Sequence, residues 1–380
     1  MRRLAKYFGL LVVPLLILGA GCNNTNPAST TSTEIEEEEV KIGVVAPMSG
    51  DYANYGQNLM AAAQIAVDEL NSDDKNNGKK YTLIAEDGEC DPKSATNAGT
   101  KLISTDKVKA ILGGFCSGET LAIAPLAEKA GVPIISPASS NPSITTAGDY
   151  IFRFMPSDNF QGDVAAKYMV EELGKKNIAV LHIQSDYGLG IKDVFEKKVP
   201  DYGGKIVASE TFQPNTKDLR AQITKIKSAN PDAVYFVGMS AEVIPGLKQI
   251  KDLGLDVPIV GSDSMDDSKI PTEAGKASDG VRFFYPANAT LPDTFKTKMK
   301  EKVGTDEIIY FSPRAYDIIQ TFGRIIDQVG SEGAKIKDEL YKVKDYKGIG
   351  DTYTLDSNGD VTTANYGIKE FKDGKVNVIK

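Results

Sequence analysis

Histidine and cysteine are almost absent, with one His and three Cys in 380 residues. A structural zinc site takes four Cys or His ligands, and a hydrolase of the triad type needs a positioned base, so both lack material here. No basic block occurs outside the extreme N-terminus and the net charge is −8, which excludes nucleic acid as an expected partner. No apolar run reaches the ~20 residues that cross a bilayer as a helix. No G-x-G-x-x-G follows a strand pattern, and G-x-x-x-x-G-K-[ST] and H-E-x-x-H are missing, so neither a resident cofactor nor a metal is expected. What is present is ordinary globular usage, with 25% charged and 41% hydrophobic residues, 35 Gly and 18 Pro. At roughly 150 residues per domain the length admits two domains.

Arg2, Arg3 and Lys6 precede an uncharged run from Tyr7 to Leu18, and small residues follow it up to Cys22. This is the layout of a secretory signal over residues 1–21, to be set aside from fold reasoning. The string L-G-A-G-C resembles the lipobox of bacterial lipoproteins, in which the Cys carries the lipid; Gly19 stands where that motif most often has Leu. An ordinary signal with an incidental Cys is the alternative. Removing 21 residues, three of them cationic and none acidic, moves the net charge from −8 to −11. Residues 22–39, polar and then acidic, read as a flexible tether. A lipid-anchored body on the extracytoplasmic face of the cell membrane follows.

From Val40 onward, short β-branched runs alternate with amphipathic stretches. Strands are expected at Val40 to Ala46, Tyr81 to Glu86, Val108 to Leu112, Pro133 to Ser136, Ile178 to Ile183, Lys205 to Glu210, Ala233 to Val237 and Pro258 to Gly261. Helices are expected between them, as at Gly56 to Asn71, where Leu59, Ala62, Ala63, Ala66, Val67 and Leu70 recur at helical spacing. Such alternation predicts an α/β fold of parallel sheets covered on both faces, with nearly continuous apolar strands. It comes in two blocks, about 40–156 and 158–286, followed by a mostly helical stretch from Leu291 to Val343 and short closing strands. Asp356 to Asp360 carries a D-x-N spacing, but Gly and Glu are misplaced for a calcium loop, so a hairpin turn is expected. Two doubly wound lobes leave a crevice at the carboxyl ends of their strands, where open α/β sheets bind ligands.

Gly114-Phe115-Cys116-Ser117-Gly118 mimics a nucleophile elbow with Cys in the nucleophile's place. Its base would have to be His182, which sits inside a strand run. In an exported chain whose Cys22 is lipidated, Cys90 and Cys116 remain as a pair, and secretion favours joining them. Nothing in this inventory points to an enzyme. Loops at strand ends instead carry hydroxyls and aromatics: Ser117 opens a helix, Ala138-Ser139-Ser140-Asn141-Pro142 follows one strand, and Tyr187-Gly188 follows another. Hydroxyls and free amides at helix N-termini suit carboxylates, while Asp263, just past Pro258 to Gly261, suits an ammonium. Each could equally be a helix cap or a loop acid.

Six strings occur in the order and near the spacing of one family: K-I-G-V-V-A-P-M-S-G-D-Y-A-N-Y-G-Q, G-E-C-D-P-K, G-G-F-C-S-G-E-T, G-V-P-I-I-S-P-A-S-S-N-P, F-R-F-M-P-S-D-N-F-Q-G and D-Y-G-L-G. From about Lys41 to the C-terminus the chain resembles the branched-chain amino-acid-binding family, the type I periplasmic binding proteins that serve ABC importers. The resemblance implies two Rossmann-like lobes joined by a multi-crossover hinge, with residues 40–157 plus 287–365 in one lobe and 158–286 plus 366–380 in the other. It implies a Cys90–Cys116 disulfide. Ser117, the backbone of Ala138, and Ser140, with Ser139 between them, should hold the ligand carboxylate, and Asp263, in place of a Glu, should pair with the ammonium. Tyr55, Phe115 and Tyr187 match pocket positions, and Met239 replaces a frequent Tyr. The implied partners are an aliphatic amino acid and importer permease subunits, with the chain acting as a monomer. A sensory lobe, or a binder of amides or aromatic acids, shares the fold and is the alternative function.

Overall fold

The computed structural model describes residues 38–73, 78–287, 289–306, 308–362 and 364–380. The expected signal segment, Cys22 and the tether as far as residue 37 lie outside the described residues.

The first lobe is built on β1 (Glu38–Ala46), whose side chains alternate between two buried faces. Val40, Ile42 and Val44 pack toward α1 (Ala53–Ser72), and Val45 packs toward α2 (Pro92–Lys101). Leu59, Ala62, Ala63, Ala66 and Val67 of the expected α1 stripe are all buried. β2 (Lys79–Asp87), β3 (Ala110–Gly113), β4 (Ile134–Ser136) and β5 (Ile151–Arg153) join β1 in a parallel sheet of order β2-β1-β3-β4-β5, with α3 (Ser117–Ala130) after β3.

The second lobe repeats the scheme through α4 (Asp158–Lys167), β6 (Asn177–Ile183), α5 (Asp186–Lys198), β7 (Lys205–Phe212) and α6 (Arg220–Ser228). It continues through β8 (Ala233–Val237), α7 (Ser240–Asp252), β9 (Ile259–Gly261), α8 (Lys269–Ala274) and β10 (Arg282–Pro286). The chain then returns to the first core with α9 (Asp293–Val303), α10 (Ser312–Val329) and α11 (Gly333–Leu340), followed by the small pair β11 (Tyr346–Lys347) and β12 (Thr352–Tyr353). Ile318, Ile319, Phe322, Ile325 and Ile326 of α10 are buried in that core, each contributing about 1.5–3 kcal/mol of transfer free energy. Finally β13 (Tyr366–Lys372) and β14 (Lys375–Val378) close the second sheet, whose order is β14-β13-β10-β9-β8-β6-β7. The backbone thus passes between the lobes after β5, after β10 and before β13.

The eight expected strands form, with ends displaced by a residue or two, and β5, β10 and the two-residue β11 are additions. The second sheet is not purely parallel, because β13 pairs antiparallel with both of its neighbours, β10 and β14. A tight turn at Asp373-Gly374, both residues at positive φ, makes that hairpin. The continuous apolar pattern holds for inner strands such as β8; the edge strands β2 and β7 are mostly half-buried, having a neighbour on one side. Asp356 to Asp360 forms a tight turn closed by an antiparallel bridge between Leu355 and Val361. The Asp360 carboxylate accepts two hydrogen bonds of 2.7 Å from the buried Arg153 guanidinium, which also donates to the Asn141 carbonyl at 2.8 Å.

Candidate functional site

The loops leaving β1, β3, β4, β6, β8 and β9 converge on one cleft. Tyr55, Phe115, Ser117, Ala138, Tyr187, Met239 and Asp263 line a small cavity there. Cys116, Ser264, Asp266, Tyr310 and Phe311 complete the wall.

The carboxyl end of β3 turns sharply into α3. A Cβ on Gly114 would run into the Glu119 side chain and the Thr120 backbone, so glycine lets the loop fold back onto the helix. Cys90 and Cys116 are joined, with Cα atoms 5.3 Å apart. Glu119 secures both ends of that bridge: Oε1 accepts the Cys90 N–H at 3.0 Å and Oε2 the Cys116 N–H at 2.8 Å. Burial pushes the Glu119 carboxyl up to about 7, against the pull of these amides.

Ser117 Oγ accepts the N–H groups of Ser140 and Asn141 at 3.3 and 3.2 Å. A hydroxyl has two lone pairs and one proton, so the proton is left for an acceptor in the cavity. The positive end of the α3 dipole lies beside it. Ser139 and Ser140 do not line the cavity. Ser139 Oγ donates within the loops, with the Gly114 and Phe115 carbonyls both at 3.0 Å, and Ser140 Oγ donates to Asp158 Oδ2 at 2.9 Å. Their hydroxyls hold the wall in shape.

Across the cleft, Asp263 Oδ1 accepts the Tyr187 hydroxyl at 2.7 Å and Oδ2 the Tyr310 hydroxyl at 2.9 Å. Burial and the Asp263 charge push both tyrosines far above their ordinary range, so they remain donors. Asp263 is 1% exposed and has no ion-pair partner among the described residues. Behind it, Gln161 Oε1 accepts the Asp263 N–H at 2.9 Å. The fully buried Asp158 has one oxygen, Oδ1, without a partner among the described residues. Burial, and then the charge of Asp263, push its carboxyl up. Between the Ser117 and Asp263 sides the wall is apolar: Tyr55 stacks on Phe115 at 5.5 Å, Phe311 meets Phe115 edge-on at 4.6 Å, and Met239 closes the rim.

Tyr310, Phe311 and Asp158 are absent from the sequence-derived set. Ser312-Pro313 signals a helix start, and a Tyr-Phe pair directly before it was the available sign. Asp158 reads locally as first-turn helix polarity. His182 lies buried within β6 with Nδ1 3.2 Å from the Ile183 carbonyl, and it contributes nothing to this wall.

Two α/β lobes crossed repeatedly by one chain, with a small polar-ended cleft at their strand ends, define a bilobal binding protein of the type I periplasmic architecture. The sequence matches the periplasmic binding protein family over residues 39–375, and the chain belongs to that family. It is 32% identical over 352 residues to the leucine-, isoleucine-, valine-, threonine- and alanine-binding protein of Pseudomonas aeruginosa, covering 90% of this chain and 93% of the relative. Among solved structures, a leucine-binding protein from Thermotoga maritima superposes with a TM-score of 0.82 at 29% identity, covering 90% of this chain and 98% of that one. The branched-chain amino-acid-binding protein of a Streptococcus pneumoniae transporter, in complex with isoleucine, gives 0.81 at 29% identity, covering 90% and 100%.

Proposed function

We propose that this protein is the substrate-binding subunit of an ABC importer and captures one amino acid, aliphatic by preference, between its lobes. It acts as a monomer, since one chain supplies both walls of the cleft, and it is held at the extracytoplasmic membrane face through a lipid on Cys22. The lobes divide as residues 40–157 plus 287–365 and 158–286 plus 366–380.

The observation that carries this reading is the opposition of Ser117, with a hydroxyl proton to give, and Asp263, a buried carboxylate without a cation among the described residues, across an apolar gap. A zwitterion satisfies both ends at once, and an unmatched charge buried there is costly. Ser117 and the α3 amides take the carboxylate, Asp263 takes the ammonium, and Tyr55, Phe115, Phe311 and Met239 take the side chain. Met adapts its shape readily to aliphatic groups. The inward commitment of Ser140 to Asp158 makes it a support for Ser117 rather than a direct carboxylate donor. An aromatic acid would fit the ring-lined wall but brings no cation to Asp263, which disfavours that alternative.

A thermal-shift panel of the twenty amino acids and simple carboxylates tests the reading, because a ligand selective for the folded state raises its apparent stability. Leucine, isoleucine or valine is expected to give the largest shift. No shift with any amino acid and a shift with benzoate or another lone carboxylate would overturn it.

A further inference from the structure

The lobes touch at the cleft mouth through groups the proposed ligand does not need. Tyr52, buried in the first lobe just before α1, donates its hydroxyl to Glu242 Oε1 on α7 of the second lobe at 2.7 Å. The same oxygen accepts the Asn215 N–H at 2.6 Å, and Glu242 is fully buried with Oε2 unpartnered among the described residues. Tyr52 stacks on Tyr55 at 6.5 Å and 27°, and Tyr55 stacks in turn on Phe115 in the cavity wall. Beside them at the surface, Lys217 Nζ meets Asp51 Oδ2 at 2.7 Å, with both side chains about half exposed.

Tyr52 and Asn215 line an outer chamber that shares Cys116, Ser117, Tyr187 and Met239 with the inner cavity. Parting the lobes there would return Tyr52 and Glu242 to water. Closing removes a carboxylate from water, and that cost is offset only when a strong donor arrives from the other lobe. The donor is Tyr52, so part of the closing free energy is independent of any ligand. The exposed Asp51–Lys217 pair adds little, being screened and solvated.

We propose that Tyr52 and Glu242 form a latch that populates the closed form before ligand arrives and sets how long ligand stays, without choosing which ligand enters. A ligand that finds the closed form partly populated loses less of its binding energy to closure. The residence-time part rests on the proposed binding function; the shape of the ligand-free protein does not.

Tyr52→Phe, Glu242→Gln and the double variant test the latch. Small-angle scattering of ligand-free protein is expected to show a larger radius of gyration for each single variant than for wild type. Stopped-flow release of the best amino acid from the thermal-shift panel should be faster by on the order of tenfold, the scale for one buried hydrogen bond to a charged group. The ranking of amino acids should stay unchanged, and the double variant should release ligand no faster than the faster single variant. A wild-type radius equal to that of both variants, or release effects that multiply in the double variant, overturns the latch. Because scattering uses no ligand, a wrong ligand assignment leaves that result standing, so the two failures are distinguishable.

Discussion

Replacing Asp263 separates binding from stability in opposite directions. In Asp263→Ala a zwitterion's ammonium loses its counter-charge in a site from which water is largely excluded. Removing one partner of a buried, hydrogen-bonded charge pair costs about 2–5 kcal/mol. At 1.4 kcal/mol per decade, Kd rises roughly 30- to 4000-fold. The Tyr187 and Tyr310 hydroxyls already donate to both carboxylate oxygens and draw off part of the charge, which places the expectation in the lower half of that interval. Burial of Asp263 also shields the pair from salt, so the ratio of mutant to wild-type Kd should hold between low and high ionic strength. The ligand-free protein should respond differently. Asp263→Asn removes a buried charge that faces Asp158 and keeps the volume, so its ligand-free melting temperature should be unchanged or higher while its ligand-induced shift collapses. Titration calorimetry reads the first effect and differential scanning calorimetry the second. An affinity within twofold of wild type in Asp263→Ala would refute the zwitterion assignment, whatever happened to stability.

The other expectations are smaller in scope. Ser117→Ala removes the proposed carboxylate donor and strands two amides, those of Ser140 and Asn141; calorimetric affinity should fall by about tenfold or more and urea-unfolding stability by about 1–3 kcal/mol, and a loss of stability alone would make Ser117 purely structural. Opening the Cys90–Cys116 bridge, which spans 26 positions, by replacing both cysteines with Ser should cost about 3–4 kcal/mol on the chain-entropy estimate, read as a lower urea midpoint that reductant no longer changes. The Glu119 carboxyl, raised by burial from 4.5 to about 7, holds its proton in the folded state where the unfolded chain has lost it. Its contribution to stability is therefore full below pH 4.5 and is lost as pH rises through 7. Wild type minus Glu119→Gln, compared by urea unfolding from pH 5 to 8, should show a decline of a few kcal/mol at about 1.4 kcal/mol per unit; a flat difference would mean that Glu119 is ionised throughout.

Legibility in the sequence followed how local each feature's cause is. β1, β6 and β8 announced themselves because both faces of an inner parallel strand are apolar. β5 did not, since it is three residues long and ends in Arg153, whose burial depends on Asp360 far along the chain. β10 reads R-F-F-Y-P, and its terminal Pro argues against an inner strand although it pairs with β9 and β13. Helices α2 and α4 run on through π-helical turns at Leu102–Asp106 and Tyr168–Glu172, which periodicity alone does not distinguish. In the site, residues at strand ends were visible as loop hydroxyls, and only the ordered motifs gathered them into one set. Tyr310 and Asp158 stayed hidden because each acts through Asp263 or Ser140, partners that no local pattern connects to them.

The division of the site between the lobes carries the mechanism. Ser117 belongs to the first lobe and Asp263 to the second, so neither lobe alone can satisfy a zwitterion. In the proposed binding mode a ligand resting on Ser117 keeps its ammonium in water until Asp263 arrives, and closure then exchanges that water for a carboxylate held by Tyr187 of its own lobe and Tyr310 of the other. One of these, Tyr310, is anchored beside the first core and donates across the cleft. Tyr310 therefore reports the position of the opposite lobe at the point where the ammonium must sit. A molecule lacking either charge leaves Ser117 or Asp263 unmatched on closing, and the penalty falls on the closed state alone. In the proposed binding mode, recognition of the backbone of an amino acid and the ligand-dependent part of closure are thus the same free-energy difference, while the aromatic wall and Met239 act on the side chain.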